Sequence, residues 1–294
     1  MSFFESLNEA ASLVEVRLSE LLSEKRGAER LNEAVRYSAL GGGKRLRAYL
    51  ALCFCALCGE APEKALDYGC AIEMIHAFSL IHDDLPAMDN DDMRRGKPSN
   101  HKAFGEATAI LAGDSLALDA FSVAGKNRLC TPEQNLKAVL LLSEKSGRFG
   151  MCAGQQYDID GEGKRLTLEE LTSLVDNKTG ALFECACALG CIAAGGSEKQ
   201  ILATKEFTPF MGRAFQITDD LLDIYSTPEQ LGKSIGKDAE QQKSTFASLI
   251  GVPLAKKLAS DCIERAKLAL DCFDNCGRKR ELLEFCDYIL TRER

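Results

Sequence analysis

The chain has 294 residues, 46% of them hydrophobic and 27% charged, and its 36 basic and 44 acidic side chains leave a net charge of −8. This much apolar side chain can bury a core, which excludes a mainly disordered protein. The acidic balance argues against a nucleic-acid-binding protein, which normally carries a basic stripe. The length allows one large domain or two, and we expect a single domain over residues 1–294.

Thirteen cysteines are present, and their setting predicts packing rather than disulfide bonding. The chain starts MSFFESLNEA, without the apolar core of a signal peptide. We find no apolar stretch near the about 18 residues that span a bilayer, so we expect a cytoplasmic protein with no membrane span. The cysteine clusters at 53–58 and 185–191 lie in Ala- and Leu-rich helical sequence, where free cysteine behaves as a small buried hydrophobe.

Almost every segment shows the helical period. Residues 5–22 place apolar side chains at steps of three and four, and residues 62–81 and 198–225 form further apolar helical runs. Helix-start signals stand at 131–133, where Pro occupies the first helical position, and at 167–170, which reads as a capping box. No alternating strand pattern of useful length occurs. The sequence therefore predicts an all-α fold of ten or more helices.

Two clusters of aspartates interrupt this apolar pattern, at residues 82–92 and at 216–223. In the second cluster, Asp219 and Asp223 lie one helical turn apart on one face, where like charges repel. Acidic side chains embedded in apolar sequence need a compensating cation. Clustered hard oxygen ligands suit Mg²⁺ that is held jointly with phosphate oxygens. A solvated acidic surface is the alternative interpretation for either cluster alone.

Basic residues accompany both clusters. The segment GGGKRLR at 41–47 is a glycine-rich turn that runs into a cationic helix start, where backbone N–H groups favour an anion. Arg94-Arg95 follows the first cluster, Lys178 begins another apolar run, and lysines at 233–243 lie just beyond the second cluster. Each of these alone could be a solvated surface charge. Together with two metal sites they are suited to hold a diphosphate.

This set of motifs resembles the trans-isoprenyl diphosphate synthase family over nearly the whole chain. The resemblance rests on GGGKRLR at 41–47, EMIHAFSLIHDDLPAMDNDDMRRGKPSNH at 73–101, GMCAGQQYD at 150–158, NKTGALF at 177–183, FQITDDLLD at 215–223 and GKSIGKDAEQQKSTF at 232–246. It implies a single-domain helical bundle around a deep central cavity, usually a homodimer. It also implies a prenyltransferase that uses about three Mg²⁺ ions per active site.

The family's residue roles carry over by motif position. The resemblance implies metal binding by Asp83, Asp84, Asp89, Asp219, Asp220 and Asp223. It implies isopentenyl diphosphate binding by Lys44, Arg47, His76 and Arg95. It implies binding of the allylic diphosphate by Arg94, Lys178, Thr179, Gln216, Lys233 and Lys243. The chain departs from the family at Ala48, where Pro is common, and at Ala153, where Gly is common, and we expect only altered packing from both.

The resemblance also implies a chain-length position at Phe78 and Ser79, just before the first aspartate cluster. Phe78 lies about 7.5 Å along the helix axis from Asp83. A bulky ring here is typical of farnesyl-forming bacterial members, because it shortens the pocket for the growing tail. We therefore predict farnesyl diphosphate as the product, with geranyl or geranylgeranyl diphosphate as alternatives. Phe78 stands roughly 140° from Asp83 around the helix, so periodicity leaves the direction of the ring open.

Three other functions compete with this interpretation. A terpene cyclase would not need a second diphosphate site, and the segment at 41–47 with His76 argues against it. A non-catalytic subunit of the same fold tends to lose an aspartate motif, and both are intact here. A serine acyl-transfer enzyme is suggested by Ser99-x-x-Lys102 and Lys178-Thr179-Gly180, but its KTG motif needs a strand that this sequence does not offer.

Overall fold

The computed structural model describes residues 2–24, 26–225 and 244–292, and these confirm the all-α prediction. The first half contains α1 (Phe3–Leu21), α2 (Glu29–Ala39), α3 (Leu46–Leu57), α4 (Leu66–Asp83), α5 (Asn100–Phe104), α6 (Glu106–Gly125) and α7 (Pro132–Ser146). The second half contains α8 (Met151–Gly161), α9 (Leu168–Val175), α10 (Ala181–Ala194), α11 (Glu198–Tyr225), α12 (Phe246–Ile250), α13 (Val252–Ala269) and α14 (Gly277–Thr291).

The predicted helix starts are confirmed by their hydrogen bonds. Thr131 Oγ1 accepts a hydrogen bond from the Gln134 N–H at 3.2 Å, and Thr167 Oγ1 accepts one from the Glu170 N–H at 3.2 Å. In both caps the side-chain oxygen at the third helical position accepts a hydrogen bond from the backbone N–H of the capping threonine. The run predicted at 62–81 divides into a short 3₁₀ turn, Pro62–Ala65, followed by α4.

Helices α3, α4 and α10 form the centre of the bundle and are buried along most of their length. Small residues let α3 and α10 approach closely: a Cβ on Gly190 would lie 2.9 Å from the Cys55 backbone nitrogen. All 13 cysteines are free and eight of them are buried, in agreement with the packing role. The buried residues are Cys53, Cys55, Cys70, Cys185, Cys187, Cys191, Cys262 and Cys286.

A small hairpin departs from the strand-free prediction. Strands β1 (Met93–Arg94) and β2 (Lys97–Pro98) pair antiparallel directly after the first aspartate cluster. Their turn consists of Arg95 and Gly96, which both have positive φ, as a two-residue hairpin turn requires. Each strand has only two residues, which is too short for the alternating pattern that predicts a strand from sequence. The hairpin carries Arg94 and Arg95 towards the site described below.

Helix α6 corrects the expectation that no apolar stretch approaches membrane-spanning length. With 20 residues and a mean hydropathy of 1.3 in its most apolar window, it is long and apolar enough to cross a bilayer by composition, and it is the one such helix among the described residues. Soluble core helices pass the same test. Here α6 packs against α4, where Gly113 of α6 leaves room for the His82 side chain.

Candidate active site

The first aspartate cluster gathers at the carboxyl end of α4. Asp83 is the last residue of the helix, and the chain then folds back on itself. The Asp89 N–H donates to the Asp83 carbonyl oxygen at 2.9 Å, and the Asp91 N–H donates to the Asp84 carbonyl oxygen at 3.2 Å. These two main-chain hydrogen bonds hold the loop against the helix end. As a result, residues that are six positions apart in sequence lie next to each other.

Burial shapes the ionisation of this cluster. Burial raises the pKa of Asp83 to about 6. The neighbouring Asp89 charge adds to this rise, and the Lys178 charge opposes it. Asp84 is only 2% exposed, and burial raises its pKa as well, although the Arg94 guanidinium opposes this rise. Arg94 Nε donates to Asp84 Oδ1 at 3.0 Å. The cluster is therefore a set of desolvated carboxylates that a cation would stabilise.

A π-helical turn, Asp176–Gly180, stands between the two aspartate clusters. From it, Lys178 Nζ binds Asp158 of α8 at 2.6 Å, and Thr179 Oγ1 lies 3.5 Å from Gln216 Oε1 of α11. Gln216 in turn donates to Asp220 Oδ1 at 3.0 Å. The turn thus connects three of the predicted allylic-site residues with the second aspartate cluster.

The three aspartates of the second cluster have different surroundings. Asp219 Oδ1 pairs with Arg292 Nη2 at 2.7 Å, close to the end of the chain. Asp220 is 6% exposed, and its second oxygen accepts a hydrogen bond from the Phe246 N–H at 3.0 Å, at the first residue of α12. Asp223 is half-buried, one turn beyond Asp219. Asp220 therefore connects α11 to α12, while Asp219 and Asp223 lie on the face of α11 that Arg292 contacts.

A cavity of about 540 Å³ adjoins this face. It brings together all four residues predicted to bind isopentenyl diphosphate, and further arginines, aromatic and aliphatic side chains and Glu73 also line it. Its residues include Lys44, Arg45, Arg47, His76, Arg95, Phe183, Phe215, Tyr288 and Arg292. Because these cations come from three separate parts of the chain, their convergence is a property of the tertiary structure. The cavity has the charge needed to bind a polyanion.

Two side chains in the cavity, Arg47 and His76, have properties that suit the binding of an anion. Arg47 Nε is buried without a hydrogen-bond partner among the described residues, and burial lowers the pKa of Arg47 to about 10. Burial and the positive charges of Arg47 and Arg95 hold the pKa of His76 well below its usual value. His76 is therefore a neutral imidazole at pH 7, able to donate one hydrogen bond and accept another. A buried guanidinium N–H without a partner costs free energy, which a ligand that supplies a hydrogen-bond acceptor would recover.

The donor set fits Mg²⁺, although the carboxylates do not form a complete coordination shell. Within residues 2–24, 26–225 and 244–292, no three Asp, Glu, His or Cys side chains converge on one point. Mg²⁺ is commonly held by one or two carboxylates together with waters and phosphate oxygens. Among the described residues, the desolvated Asp83 carboxylate lacks a compensating cation of its own, and Asp219 is a carboxylate that already attracts a cation, Arg292. The site is therefore suited to a metal that arrives with a diphosphate.

Other predicted site residues lie elsewhere. Phe78 and Ser79 do not line the cationic cavity. The Phe78 ring packs edge-on against the His82 ring on the same helix, with 5.1 Å between centroids. Ser79 Oγ donates to the His76 carbonyl oxygen at 2.9 Å. Lys233 and Lys243 lie outside the described residues.

Two partners of the predicted site were not identified from the sequence. Asp158 is the last residue of the motif at 150–158 and pairs with Lys178. The one sequence signal for this pairing was its position four residues after Gly154 within that motif. Arg292 carries no such signal, because it stands alone near the chain end. In the structure it is 7% exposed and lies 3.8 Å above the centre of the Phe215 ring. It touches both the cavity and the second aspartate cluster.

Comparisons with known proteins agree with this geometry. A family model described as polyprenyl synthetase matches residues 28–272. The chain is 41% identical to a farnesyl diphosphate synthase of Geobacillus stearothermophilus, covering 100% of this chain and 99% of the relative. It is 45% identical to a geranylgeranyl diphosphate synthase of Cyanophora paradoxa, covering 88% and 87%. A solved apo structure of an FPP/GFPP synthase from Zymomonas mobilis superposes with a TM-score of 0.87 at 36% identity, covering 98% of both chains.

Proposed function

This chain belongs to the polyprenyl synthetase family, and we propose that it condenses isopentenyl diphosphate with dimethylallyl or geranyl diphosphate to give farnesyl diphosphate. One observation carries the proposal. Arg292 lines the cationic cavity and also pairs with Asp219, so an anion site and a carboxylate cluster suited to metal adjoin each other. A reaction between two diphosphates requires two such neighbouring sites.

The proposal assigns metal binding to Asp83, Asp84 and Asp89 on one side and to Asp219 and Asp223 on the other. Asp220, which holds the start of α12, acts mainly by positioning the second cluster. Bound Mg²⁺ supplies Lewis-acid charge that stabilises the departing diphosphate. Arg94, Lys178, Thr179 and Gln216 surround the same region and would orient the allylic diphosphate, and Lys233 and Lys243 complete this set in the proposal.

The protein's own side chains then bind, orient and exclude water. Arg47 and Arg95 hold isopentenyl diphosphate by charge, and neutral His76 hydrogen-bonds it without adding charge. The allylic C–O bond breaks with its electron pair on the diphosphate, and the isopentenyl double bond attacks the resulting carbocation at C1. The proton lost from the new unit goes to the released diphosphate, so no protein base is needed. The rings of Phe183 and Phe215 exclude water that would quench the cation.

Farnesyl diphosphate is proposed as the product because the Phe78 ring is held in place. The His82 ring that packs against it is fixed to α6, since His82 Nε2 lies 3.0 Å from the Ile110 carbonyl oxygen. A Cβ on Gly113 would lie 3.1 Å from His82 Cε1, so the imidazole fills the space between α4 and α6. In this proposal the Phe78 ring limits the space available to an isoprenoid tail. The relatives include both farnesyl- and geranylgeranyl-forming enzymes, so geranylgeranyl diphosphate is the second candidate.

We also propose a cytoplasmic homodimer whose subunits each fold as one domain. Two helices that pack together carry exposed leucines at helical spacing. Leu111 and Leu118 of α6 are 54% and 70% exposed, and Leu136 and Leu140 of α7 are 59% and 61% exposed. Exposed leucines repeated along two neighbouring helices are typical of a surface that a second copy covers. Light scattering after size exclusion should give twice the mass of 32.0 kDa, and a monomer would contradict the dimer.

The decisive assay incubates the purified protein with labelled isopentenyl diphosphate and, in turn, dimethylallyl, geranyl or farnesyl diphosphate. The products are dephosphorylated and separated by chromatography. We expect farnesyl product from the first two primers and loss of product in excess chelator. Product from an allylic diphosphate alone would indicate a terpene cyclase. Absence of turnover with every primer would indicate a non-catalytic subunit, and equal turnover in chelator would refute the metal assignment.

A further inference from the structure

Two cysteines from different helices meet at the end of the bundle away from the aspartate clusters. Cys58 caps the carboxyl end of α3, about 16 Å along the helix from Arg47. Cys191 lies in the last turn of α10. Both side chains lie beside Gly196, and the Cys191 thiol donates to the Gln200 carbonyl oxygen at 3.9 Å.

The loop after α10 leaves room for this pair. The Gly196 N–H donates to the Cys191 carbonyl oxygen at 2.8 Å, which wraps the loop over the helix end. A Cβ on Gly196 would lie 3.1 Å from Cys58 Sγ and 3.4 Å from Cys191 Cβ. The space beside this glycine is therefore shared by both cysteines, and Cys58 is half-buried while Cys191 is buried. Cys58 is therefore the more accessible member of the pair.

The two thiols also differ in acidity. The adjacent Cys191 thiol lowers the pKa of Cys58 and so favours its thiolate. The adjacent Cys58 sulfur, together with burial, raises the pKa of Cys191. Elsewhere burial raises the pKa, as it does for half-buried Cys130 and Cys272. The reactive form of cysteine is the thiolate, so Cys58 is the member of the pair that reacts first.

We propose that Cys58 and Cys191 form a reversible disulfide when the protein meets a hydroperoxide. The Cys58 thiolate attacks one oxygen of hydrogen peroxide, the O–O bond breaks, and Cys58 becomes a sulfenic acid; the hydroxide that leaves takes up the proton lost by the Cys58 thiol and becomes the first water. The Cys191 sulfur then attacks the Cys58 sulfur, and the hydroxyl leaves as a second water. Two thiols are oxidised and one hydrogen peroxide is reduced. A dithiol reverses the reaction by exchange.

The cross-link would join the ends of α3 and α10, which already pack closely. A disulfide that closes a long stretch of chain stabilises the folded state by restricting the unfolded one. Because the pair lies at the opposite end of α3 from the cationic cavity, the oxidised enzyme keeps its turnover. The expected effect is a rise of the melting temperature by several degrees, with activity within about twofold of the reduced enzyme.

The test treats the full chain with increasing hydrogen peroxide, blocks the remaining thiols, and maps the peptides without reduction. We expect a Cys58–Cys191 peptide, the loss of two hydrogens from the intact mass, and full reversal by dithiothreitol. Cys58→Ser and Cys191→Ser should each lose the linked peptide and the gain in melting temperature. Cys130→Ser is the matched control, because this half-buried thiol donates to the Lys64 carbonyl oxygen, and it should keep both.

Peptide mapping of the wild-type protein does not depend on whether the serine variants fold. A disulfide between any other pair would overturn the proposal. So would oxidation confined to the exposed Cys152 and Cys276, or conversion of Cys58 to its sulfinic acid without cross-linking. A linked peptide with an unchanged or lower melting temperature would refute the proposed stabilisation.

Discussion

The contact between α8 and the π-helical turn allows a sharp test of how the allylic site is held. Gly154 of α8 packs directly on the turn: an added Cβ would lie 2.6 Å from the Asn177 carbonyl carbon and closer still to the Lys178 backbone. Ordinary contacts of a Cβ begin near 3.4 Å. Because the Lys178 backbone is the nearer contact, Gly154→Ala must push the two segments apart by more than about 1 Å. Both are backbone, so no flexible side chain can absorb the shift.

This displacement acts on the residues proposed to hold the allylic diphosphate. Asp158 stands one helical turn after Gly154 and binds Lys178, so separation of the segments also strains that 2.6 Å ion pair. Overpacking of this kind costs about 1–3 kcal/mol of stability. A misplacement of about 1 Å near the reacting groups costs about 100-fold in rate. We expect kcat/KM for the allylic substrate to fall about 100-fold in Gly154→Ala.

The assay is steady-state kinetics in which each substrate is varied in turn, at a temperature well below the melting point of the variant. The KM for isopentenyl diphosphate should stay within about threefold, because Arg47 and His76 come from α3 and α4. Gly161→Ala is the matched control on the same helix, since its Cβ meets only the flexible Leu166 side chain at 3.3 Å. A folded Gly154→Ala with wild-type allylic kinetics, or a KM for isopentenyl diphosphate that rises well beyond threefold, would refute the reasoning.

Three further predictions concern single side chains. Phe78→Ala should move the product towards geranylgeranyl diphosphate, because the held ring no longer shortens the pocket, whereas Phe78→Tyr should keep the farnesyl product; both are read by product chromatography. Arg292→Gln should lower the Mg²⁺ concentration for half-maximal rate about threefold, because Asp219 loses a competing cation. His76→Gln should flatten the pH dependence of stability, measured by urea unfolding. Below pH 6.5 the unfolded chain takes up a proton at this histidine that the folded chain does not, so the wild type loses about 1 kcal/mol relative to the variant between pH 6.5 and 5.5.

Each of these has a result that would contradict it. Farnesyl product from Phe78→Ala would show that the ring does not limit the tail. A higher Mg²⁺ requirement in Arg292→Gln would show that the arginine supports the metal site rather than competing with it, and Arg292→Lys, which keeps the charge, is its control. Parallel stability curves for the wild type and His76→Gln between pH 7.5 and 5.5 would show that His76 titrates normally in the folded protein.

Local features of this chain could be read from its sequence. The capping threonines at 131 and 167 act through residues three positions away, so a short window contains all the information. The same holds for the aspartates on one face of α11 and for the buried cysteine-rich helices, because both follow from the helical period. The family motifs identified the four residues that meet in the cationic cavity. Their spacing along the chain did not by itself predict that they lie close together.

The tertiary structure decided the rest. Arg292 reaches Asp219 from the far end of the chain, and Asp220 turns inward to hold α12, although it stands beside Asp219 in sequence. The direction of the Phe78 ring depends on His82 and on a glycine of α6. The Cys58–Cys191 contact depends on how α3 packs against α10. Each of these arises where segments distant in sequence share one space, and the free energy of such a contact depends on both partners, which a local pattern cannot contain.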